Sequence, residues 1–320
     1  MEQIDLVYLW VDGSDPEWQL AKERALQECG REPDGQATAK GRFANNDELR
    51  YSLRSVERYM PWVGRIFVVT ANQTPTWLNT DHPKIRLISH SEIMDASVLP
   101  TFNSSAIEMS ICRIEGLSER FILANDDFFV ARPLTPQFFY NAEGVPIARL
   151  SRHIPKKQSL YMGKVRRAQS LVAEKFGYVC PNPPHHNMDA YLRSDVEACL
   201  EAFAPQAEAT RSHRFRAEGE FHRSAWLYYA LSQGRAEKRI VTHYGAATSF
   251  GEKLGCWLRG RYCCESREFG LHRSGLARRL RRYNPALFCL NDTERTTDAQ
   301  RDEMVGLLEE LYGQKSSFEK

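Results

Sequence analysis

The order of apolar segments in the first 130 residues constrains the fold of this 320-residue chain more than any other feature. Strand-like apolar runs begin near Ile4, Arg65, Ile85 and Phe121, and amphipathic helix patterns lie between them. Strands that alternate with helices form a mainly parallel sheet, because each parallel pair needs a long crossover connection. We therefore predict an α/β protein with a mainly parallel sheet, helices on both faces and a more helical second half.

Acidic side chains follow three of the apolar runs at the point where each run ends. In open α/β sheets ligands bind beyond the carboxyl ends of strands, so these exits predict one shared crevice. Adjacent carboxylates repel unless a cation offsets them, and a divalent metal that carries a phosphorylated ligand is a common such cation. The alternative is that each exit is a turn whose Asp and Asn residues cap the next element. The three exits are Trp10-Val11-Asp12-Gly13, Asn125-Asp126-Asp127 and Asn291-Asp292.

Composition is ordinary for a globular protein, with 42% hydrophobic and 26% charged residues. No apolar run approaches the roughly 20 residues that span a bilayer, and the first residues lack the pattern of a secretory signal. We therefore expect a cytoplasmic protein with reduced thiols. The eight cysteines show no paired C-x-x-C spacing, which argues against a disulfide framework, although Cys256, Cys263, Cys264 and His272 could together hold zinc.

The formal net charge of +2 conceals two basic segments. Residues 149–175 contain eight basic and one acidic residue, and residues 253–282 contain nine and two. Such segments suit a polyanion, an anionic membrane surface or a sugar-phosphate substrate, whereas the alternative is a solvated face with a flexible loop. We expect a metal- and nucleotide-binding half at 1–145, a basic insertion at 146–179, and a helical half at 180–320 that completes the same domain and carries the basic segment 253–282.

The second half adds two histidines and an arginine to the candidate site. His185 and His186 lie at a predicted helix start, where backbone N–H groups attract anions. A histidine there can contact phosphate or transfer a proton, although a single histidine at a helix start is usually structural. Arg216 precedes a predicted aromatic helix and can pair with phosphate or, by default, with a surface acid.

Five blocks of this sequence carry a resemblance to a known family. Residues 4–13 (IDLVYLWVDG), 42–55 (RFANNDELRYSLRS) and 99–108 (LPTFNSSAIE) resemble the first two conserved regions of the Stealth phosphotransferases. The block around His186, together with Arg216, is similar to the third region, and residues 289–292 are similar to the fourth. The family includes bacterial capsule and exopolysaccharide phosphotransferases and the catalytic part of the enzyme that tags lysosomal proteins with N-acetylglucosamine 1-phosphate.

The resemblance implies a Rossmann-like fold of the nucleotide-sugar transferase type and an enzyme of capsule, exopolysaccharide or cell-surface glycan synthesis. Its expected reaction transfers an N-acetylhexosamine or hexose 1-phosphate from a UDP-sugar to a hydroxyl of a saccharide acceptor and releases UMP. The implied cofactor is Mg²⁺ or Mn²⁺. No nucleic-acid partner is expected, and the basic segments leave open a peripheral contact with the inner face of the membrane or with a capsule-assembly complex.

Carried over residue by residue, the resemblance implies catalytic roles for His186, Asp127, Arg216 and Asp126. It implies metal binding by Asp127 and Asn291. Asn45 departs from the pattern, because members commonly have an acid there. The base that takes the hydroxyl proton stays open between His186, Asp126 and Asp127. The implied substrate-binding residues are Trp10, Asp12, Gly13, Arg42, Asp47, Glu48, Arg54, Asn103, Ser104, Glu108 and Asn125.

Two other hypotheses explain part of the sequence. A metal-dependent glycosyltransferase would use the same crevice but cleave the anomeric bond and release UDP instead of UMP. A non-catalytic module that binds polyanions would explain the basic segments. It would leave the three acidic exits unexplained, because clustered carboxylates repel a polyanion.

Overall fold

The computed structural model describes residues 2–29, 43–152, 154–155, 159–241, 264–268, 280–281, 284–292 and 296–320, with only the backbone given at 264–268. Arg42 lies outside these residues, as do Cys256, Cys263, His272 and most of the basic segment 253–282. The zinc hypothesis and the predicted role of Arg42 therefore stay predictions.

The strands and helices alternate through the first half in the predicted order. The strands are β1 (Ile4–Leu9), β2 (Ile66–Thr70), β3 (Ile85–Ser89), β4 (Arg120–Asn125), β5 (Phe128–Val130), β6 (Ile147–Ser151), β7 (Asp189–Leu192), β8 (Glu237–Val241), β9 (Cys264–Glu268) and β10 (Leu287–Asn291). The helices are α1 (Pro16–Glu28), α2 (Glu48–Tyr59), α3 (His90–Ile93), α4 (Ser104–Glu108), α5 (Leu160–Phe176), α6 (Arg193–Ala202), α7 (Ala204–Arg211), α8 (Ser224–Ser232) and α9 (Asp298–Tyr312).

Among the described residues, a five-stranded sheet of order β3-β2-β1-β4-β7 forms the centre of the fold. Its first four strands are parallel, and β7 pairs antiparallel with β4. Both faces are covered, because Val7 and Leu123 pack in one apolar cluster with α5, α6 and α8, whereas Leu6 and Ile122 pack in another with α2. A strand buried on both faces needs a continuous apolar run, as in β1 and β4. The prediction of a mainly parallel α/β fold is confirmed.

The chain changes sheets at Asp126 and Asp127. These two residues alone separate β4, in the central sheet, from β5, which pairs antiparallel with β10 in a second sheet. Helix α2 supports this change of direction, because the Ser52 hydroxyl donates to the Phe128 carbonyl and the Ser55 hydroxyl accepts from the Val130 amide. The apolar run from Phe121 to Val130 is therefore two strands joined at the acidic pair.

The predicted helix after His185 and His186 is wrong at its start. Residues 189–192 form β7, and helix α6 begins only at Arg193. Pairing of β7 with the buried strand β4 overrides the helical pattern, because the pairing satisfies backbone hydrogen bonds and buries Tyr191 at the same time. The two histidines thus precede a strand, and the argument that a helix start attracts phosphate to them no longer applies.

An ion pair joins helix α2 to residues near the last described position. Arg54 Nε and Nη2 donate to the two carboxylate oxygens of Glu319 at 2.7 and 2.9 Å, and Arg54 Nη1 donates to the Tyr312 carbonyl at 3.0 Å. Burial by itself would raise the pKa of Glu319, but hydrogen bonds from Arg54, Ser316 and Arg50 lower it to about 2. The ionised pair therefore holds residues 312–319 on α2.

We predict that Glu319→Gln lowers the free energy of unfolding at pH 7 by about 3 kcal/mol, because it leaves the buried Arg54 guanidinium without its countercharge. The pKa of folded Glu319 lies below its ordinary value of 4.5. Ionised Glu319 therefore makes its full contribution to the free energy of unfolding above about pH 5. This contribution disappears as the pH falls toward 2. Urea unfolding of both proteins across this range should show the difference shrinking.

Glu309→Gln is the matched control for this prediction. Glu309 contacts the same Arg54 at 3.3 Å, but its side chain is 57% exposed, so its loss should cost less than about 1 kcal/mol. Equal losses for the two variants would contradict a stabilising role that depends on burial.

Candidate active site

Two of the three acidic strand exits meet at one edge of the sheets. The Leu290 amide donates to the Asp127 carbonyl at 3.1 Å, and the Cys289 thiol lies 3.4 Å from Asp127 Oδ2. Asn291, which follows Leu290, places its Oδ1 atom 3.3 Å from His186 Nε2. The pairing of β5 with β10 brings Asp127 and Cys289 together, although 162 positions separate them in the sequence.

The carboxylates at this edge lie close enough to repel one another. Burial raises the pKa of Asp126 well above its usual range, and the charges of Asp127 and Glu48 add to the rise. Burial also raises the pKa of Asp127 to about 7, a rise that Glu48 reinforces and the Cys289 thiol opposes. Burial raises the pKa of Glu48 despite hydrogen bonds from Asn46, and nearby Asp292 contributes to the rise. This cluster is arranged to accept positive charge.

The donor atoms of the cluster fit a magnesium ion. Asp127 Oδ1 is buried and has no hydrogen-bond partner among the described residues. Asn291, whose Oδ1 atom lies 3.3 Å from His186 Nε2, follows Leu290, the residue bonded to the Asp127 carbonyl. Carboxylate and amide oxygens are ligands that Mg²⁺ prefers, and this ion is often held by only one or two carboxylates together with substrate phosphates. The described part of the chain contains no group of three or more His, Cys, Asp or Glu residues placed to hold a metal.

His186 lies in an aromatic setting next to this cluster. Its ring contacts Phe128 and Tyr161 edge to face, with a centroid distance of 5.5 Å in each case. Burial and, to a smaller extent, the positive charge of Arg223 together lower the pKa of His186 to about 4. The imidazole is therefore neutral near pH 7, and one of its nitrogens keeps a lone pair that can accept a proton.

Arg223 is a buried cation that the sequence did not single out. It precedes α8, and its Nη1 atom lies 3.6 Å from Glu108 Oε1, with side chains 9% and 7% exposed. Burial raises the pKa of Glu108, and the positive charge of Arg223 opposes part of this rise. Arg223 also lowers the pKa of Asp127, which places it within electrostatic reach of the acidic cluster. One sequence signal could have revealed it: a basic residue at the start of the apolar, aromatic run from 224 to 231.

Arg216 lies beside Ser104, in a loop that Asn103 organises. Arg216 Nη2 donates to the Ser104 hydroxyl, and its Nε atom is buried without a hydrogen-bond partner among the described residues. The fully buried Asn103 donates to the His213 carbonyl at 3.1 Å and to Glu220 Oε1 at 2.6 Å. The contacts of Asn103 are therefore structural, and they hold the loop that carries Arg216.

The first strand exit is built by close backbone contacts. Trp10 is only 6% exposed and packs in the apolar core. Asp12 Oδ1 accepts hydrogen bonds from the amide and hydroxyl of Ser14, and the Asp12 backbone exchanges two hydrogen bonds with the side chain of Gln73. A Cβ atom on Gly13 would lie 2.3 Å from the Phe43 carbonyl oxygen, so only glycine fits at this position. Sequence reasoning missed Gln73.

The remaining predicted substrate residues are spread along the same edge and beyond it. Asn125 ends β4 opposite Leu9 of β1. Asp47 precedes α2 in the left-handed region (φ 61°) and lies 3.6 Å from Arg50. The guanidinium of Arg54 is occupied by Glu319 and the Tyr312 carbonyl, so its contacts hold the fold together. The predicted roles of these residues in substrate binding stay predictions.

Two family models and a group of curated proteins match this sequence. Residues 2–28 match Stealth protein CR1, conserved region 1, and residues 42–148 match Stealth protein CR2, conserved region 2. An exopolysaccharide phosphotransferase of Streptomyces coelicolor is 37% identical over 99% of this chain and 51% of its own length. A capsular polysaccharide phosphotransferase of Neisseria meningitidis serogroup B is 34% identical over 76% of this chain and 70% of its own length.

The chain spans about half the length of the first Streptomyces relatives that it matches. Among solved structures, the galactosyltransferase LgtC in complex with donor and acceptor sugar analogs aligns with 98% of this chain and 96% of its own, at 12% identity and a TM-score of 0.46. This likeness is too distant to carry a conclusion about function.

We predict that Asp127→Asn raises the stability of the metal-free protein at pH 7 by about 1 kcal/mol, because it removes one charge from a buried, mutually repelling cluster. Millimolar Mg²⁺ should raise the melting temperature of the wild type and leave that of the variant unchanged. Thermal unfolding in EDTA and in Mg²⁺ measures both effects, with the exposed Asp81→Asn as control. A variant that Mg²⁺ stabilises as much as the wild type would exclude Asp127 as a ligand.

Proposed function

The chain belongs to the Stealth protein family, and from this premise we propose that it transfers a sugar 1-phosphate from a UDP-sugar to a hydroxyl of a saccharide acceptor. The names of its relatives support phosphotransfer in capsule or exopolysaccharide synthesis. Within this chain, the observation that carries the proposal is that the buried Asp127 Oδ1 has no hydrogen-bond partner in the described part of the chain, at the strand edge where Asn291 contacts His186. The transferred group would be an N-acetylhexosamine or hexose 1-phosphate.

The proposed reaction makes and breaks bonds at phosphorus. The acceptor oxygen forms a bond to the β-phosphorus of the donor, and the bond from that phosphorus to the oxygen shared with the α-phosphorus breaks. UMP leaves with the electron pair of the broken bond. The anomeric C–O bond stays intact, so the sugar keeps its configuration without a glycosyl-enzyme intermediate. The site must therefore neutralise the diphosphate, align the acceptor in line and take one proton.

Asp127 and Asn291 would hold the metal ion, with Mg²⁺ or Mn²⁺ as the candidates. When bound, such an ion neutralises charge on the phosphate oxygens. Asp126 and Glu48 lie close enough to add negative potential at the same place, which strengthens the attraction for a cation. Arg216 lies beside Ser104 in the neighbouring loop, and we propose that it contacts the donor phosphates.

His186 is our proposed acceptor for the hydroxyl proton. In the tautomer whose Nε2–H is accepted by Asn291 Oδ1, the Nδ1 lone pair remains to take the proton. The edge-to-face contacts with Phe128 and Tyr161 fix the plane of the ring. Asp126 and Asp127 are the alternatives, but a metal-bound Asp127 would be a weaker base.

Several broader expectations belong to this proposal. Cys29, Cys112, Cys180, Cys199 and Cys289 are all unpaired, which suits a reducing compartment, and we propose that the reaction takes place in the cytoplasm. Across the described residues, none of the helices has the length and apolarity needed to cross a membrane. The pairing of β4 with β7 and of β5 with β10 supports our division of the chain, in which 1–145 and 180–320 share one domain.

The identity of the released nucleotide tests the proposal. We expect the purified protein, given UDP-N-acetylglucosamine or UDP-glucose, Mg²⁺ and a saccharide acceptor, to release UMP and form a phosphodiester-linked product. Chromatography of the nucleotides and mass spectrometry of the product measure this outcome. UDP as the only nucleotide would indicate a glycosyltransferase instead, and full activity in EDTA would contradict the metal assignment.

We predict that His186→Ala lowers kcat by about 10²–10⁴-fold and leaves KM for the donor nearly unchanged, because a base acts in the transition state and contributes little to donor binding. Steady-state kinetics with varied donor, together with donor binding by calorimetry, separate the two effects. His82→Ala is the control, since His82 packs against Phe318. Loss of donor affinity with normal kcat would make His186 a phosphate ligand.

A further inference from the structure

Arg223 is a buried arginine in which one terminal nitrogen forms no hydrogen bond to the described part of the chain. Its side chain is 9% exposed, and its Nη1 atom has no hydrogen-bond partner among the described residues. Glu108, the nearest acid, is 3.6 Å away, and its Oε2 atom also has no partner there. Buried polar atoms of this kind are nearly always hydrogen-bonded, so an unsatisfied donor and an unsatisfied acceptor side by side need an explanation.

Two other pairs in the same protein show what a purely structural arginine looks like here. Arg54 binds both oxygens of Glu319 at 2.7 and 2.9 Å. Arg301 binds both oxygens of Asp292 at 2.7 and 3.3 Å. In each pair two N–H groups point at the two carboxylate oxygens, the geometry that arginine and carboxylate prefer. Arg223 and Glu108 lack this geometry, because their ion pair joins only Arg223 Nη1 to Glu108 Oε1, at 3.6 Å, which is too long for a hydrogen bond.

The other acid near Arg223 is already paired. Asp189 Oδ1 lies 2.8 Å from His185 Nε2, and both side chains are buried. His222, the residue before Arg223, contacts the ring of Tyr161 edge to face at a centroid distance of 5.6 Å. His186 contacts the same ring at 5.5 Å, so Arg223 follows a residue that shares a neighbour with His186. The unsatisfied donor and acceptor thus belong to the surroundings of the proposed metal and base.

We propose that Arg223 and Glu108 form the subsite for the transferred sugar 1-phosphate, in which the guanidinium donates to the phosphoryl oxygens and Glu108 Oε2 accepts from a sugar hydroxyl. This inference rests on the proposed function. A phosphate would supply the acceptors that Arg223 lacks, and a hydroxyl next to it would supply the donor that Glu108 lacks. A sugar 1-phosphate carries both groups in one molecule.

Binding of product-like ligands tests the subsite without turnover. The probes are N-acetylglucosamine 1-phosphate, glucose 1-phosphate and inorganic phosphate, titrated by calorimetry into the full chain with Mg²⁺. We expect the wild type to bind at least one sugar 1-phosphate and Arg223→Met to weaken that binding tenfold or more. Glu108→Gln should weaken sugar phosphate binding and leave inorganic phosphate binding unchanged. Arg235→Met, which removes an outer arginine paired with Asp195, should match the wild type.

The double variant Glu108→Gln, Arg223→Met guards against simple unfolding, because it removes both buried charges together. It should melt near the wild-type temperature and still bind no phosphate probe. Arg223→Lys keeps the positive charge but lacks the planar set of N–H groups that can bind two oxygens at once. It should bind the phosphate probes with intermediate affinity. The subsite is excluded if the wild type binds none of the three probes, if Arg223→Met binds as well as the wild type, or if the double variant regains phosphate binding.

Kinetic measurements separate failure of the subsite from failure of the proposed reaction. Loss of Arg223-dependent binding with normal UMP release would overturn the subsite and leave the transferase intact. Arg223-dependent binding in a protein that releases no UMP from any UDP-sugar would support the subsite and overturn the reaction. If the subsite and the proposed reaction are both correct, Arg223→Met should raise KM for the donor and lower kcat together. The reason is that Arg223 would hold the sugar 1-phosphate both before and during its transfer.

Discussion

The turn at Asp126 and Asp127 is the feature on which the rest of the site depends. Strand β4 leaves the central sheet there, and β5 enters a second sheet only two residues later. The backbone of this turn is fixed by strand pairing on both sides, so the two carboxylates cannot move apart into solvent. Burial raises the pKa of both carboxyl groups, and the negative charge of Glu48 adds to each rise. A bound cation would relieve a strain that strand pairing maintains.

Two of the buried polar atoms that lack a hydrogen-bond partner among the described residues belong to groups of opposite charge near His186. They are Asp127 Oδ1 and Arg223 Nη1, and the positive charge of Arg223 contributes to the lowered pKa of His186. A UDP-sugar bound together with a metal ion would satisfy both groups at once. The metal ion would bind Asp127, and the phosphate oxygens would accept from Arg223. The ion pair of Arg54 with Glu319, by contrast, is complete, because two N–H groups of the arginine donate to the two carboxylate oxygens.

Residues that touch no substrate hold this arrangement in place. Asn103 ties α4 to the loop that carries Arg216, and the buried Lys164 and Glu220 pair in the same region. Hydroxyl groups on α2 bond to the backbone of β5, which fixes the strand that follows the acidic turn. Substitutions at these positions would disturb the site through the scaffold, so their effects on activity and on stability should appear together.

The sequence by itself determined the α/β order and the acidic exits, because strand periodicity, turn residues and charge are local properties. The resemblance of several sequence blocks to one protein family could also be recognised from the sequence alone. Only the tertiary structure decided the rest, since burial and pairing depend on residues far apart in the chain. It made β7 a strand through pairing with β4, buried Trp10 in the core, and gave Arg54 a partner 265 positions away. Arg223 stood out for the same reason: an unsatisfied guanidinium is a property of its surroundings, which no local pattern records.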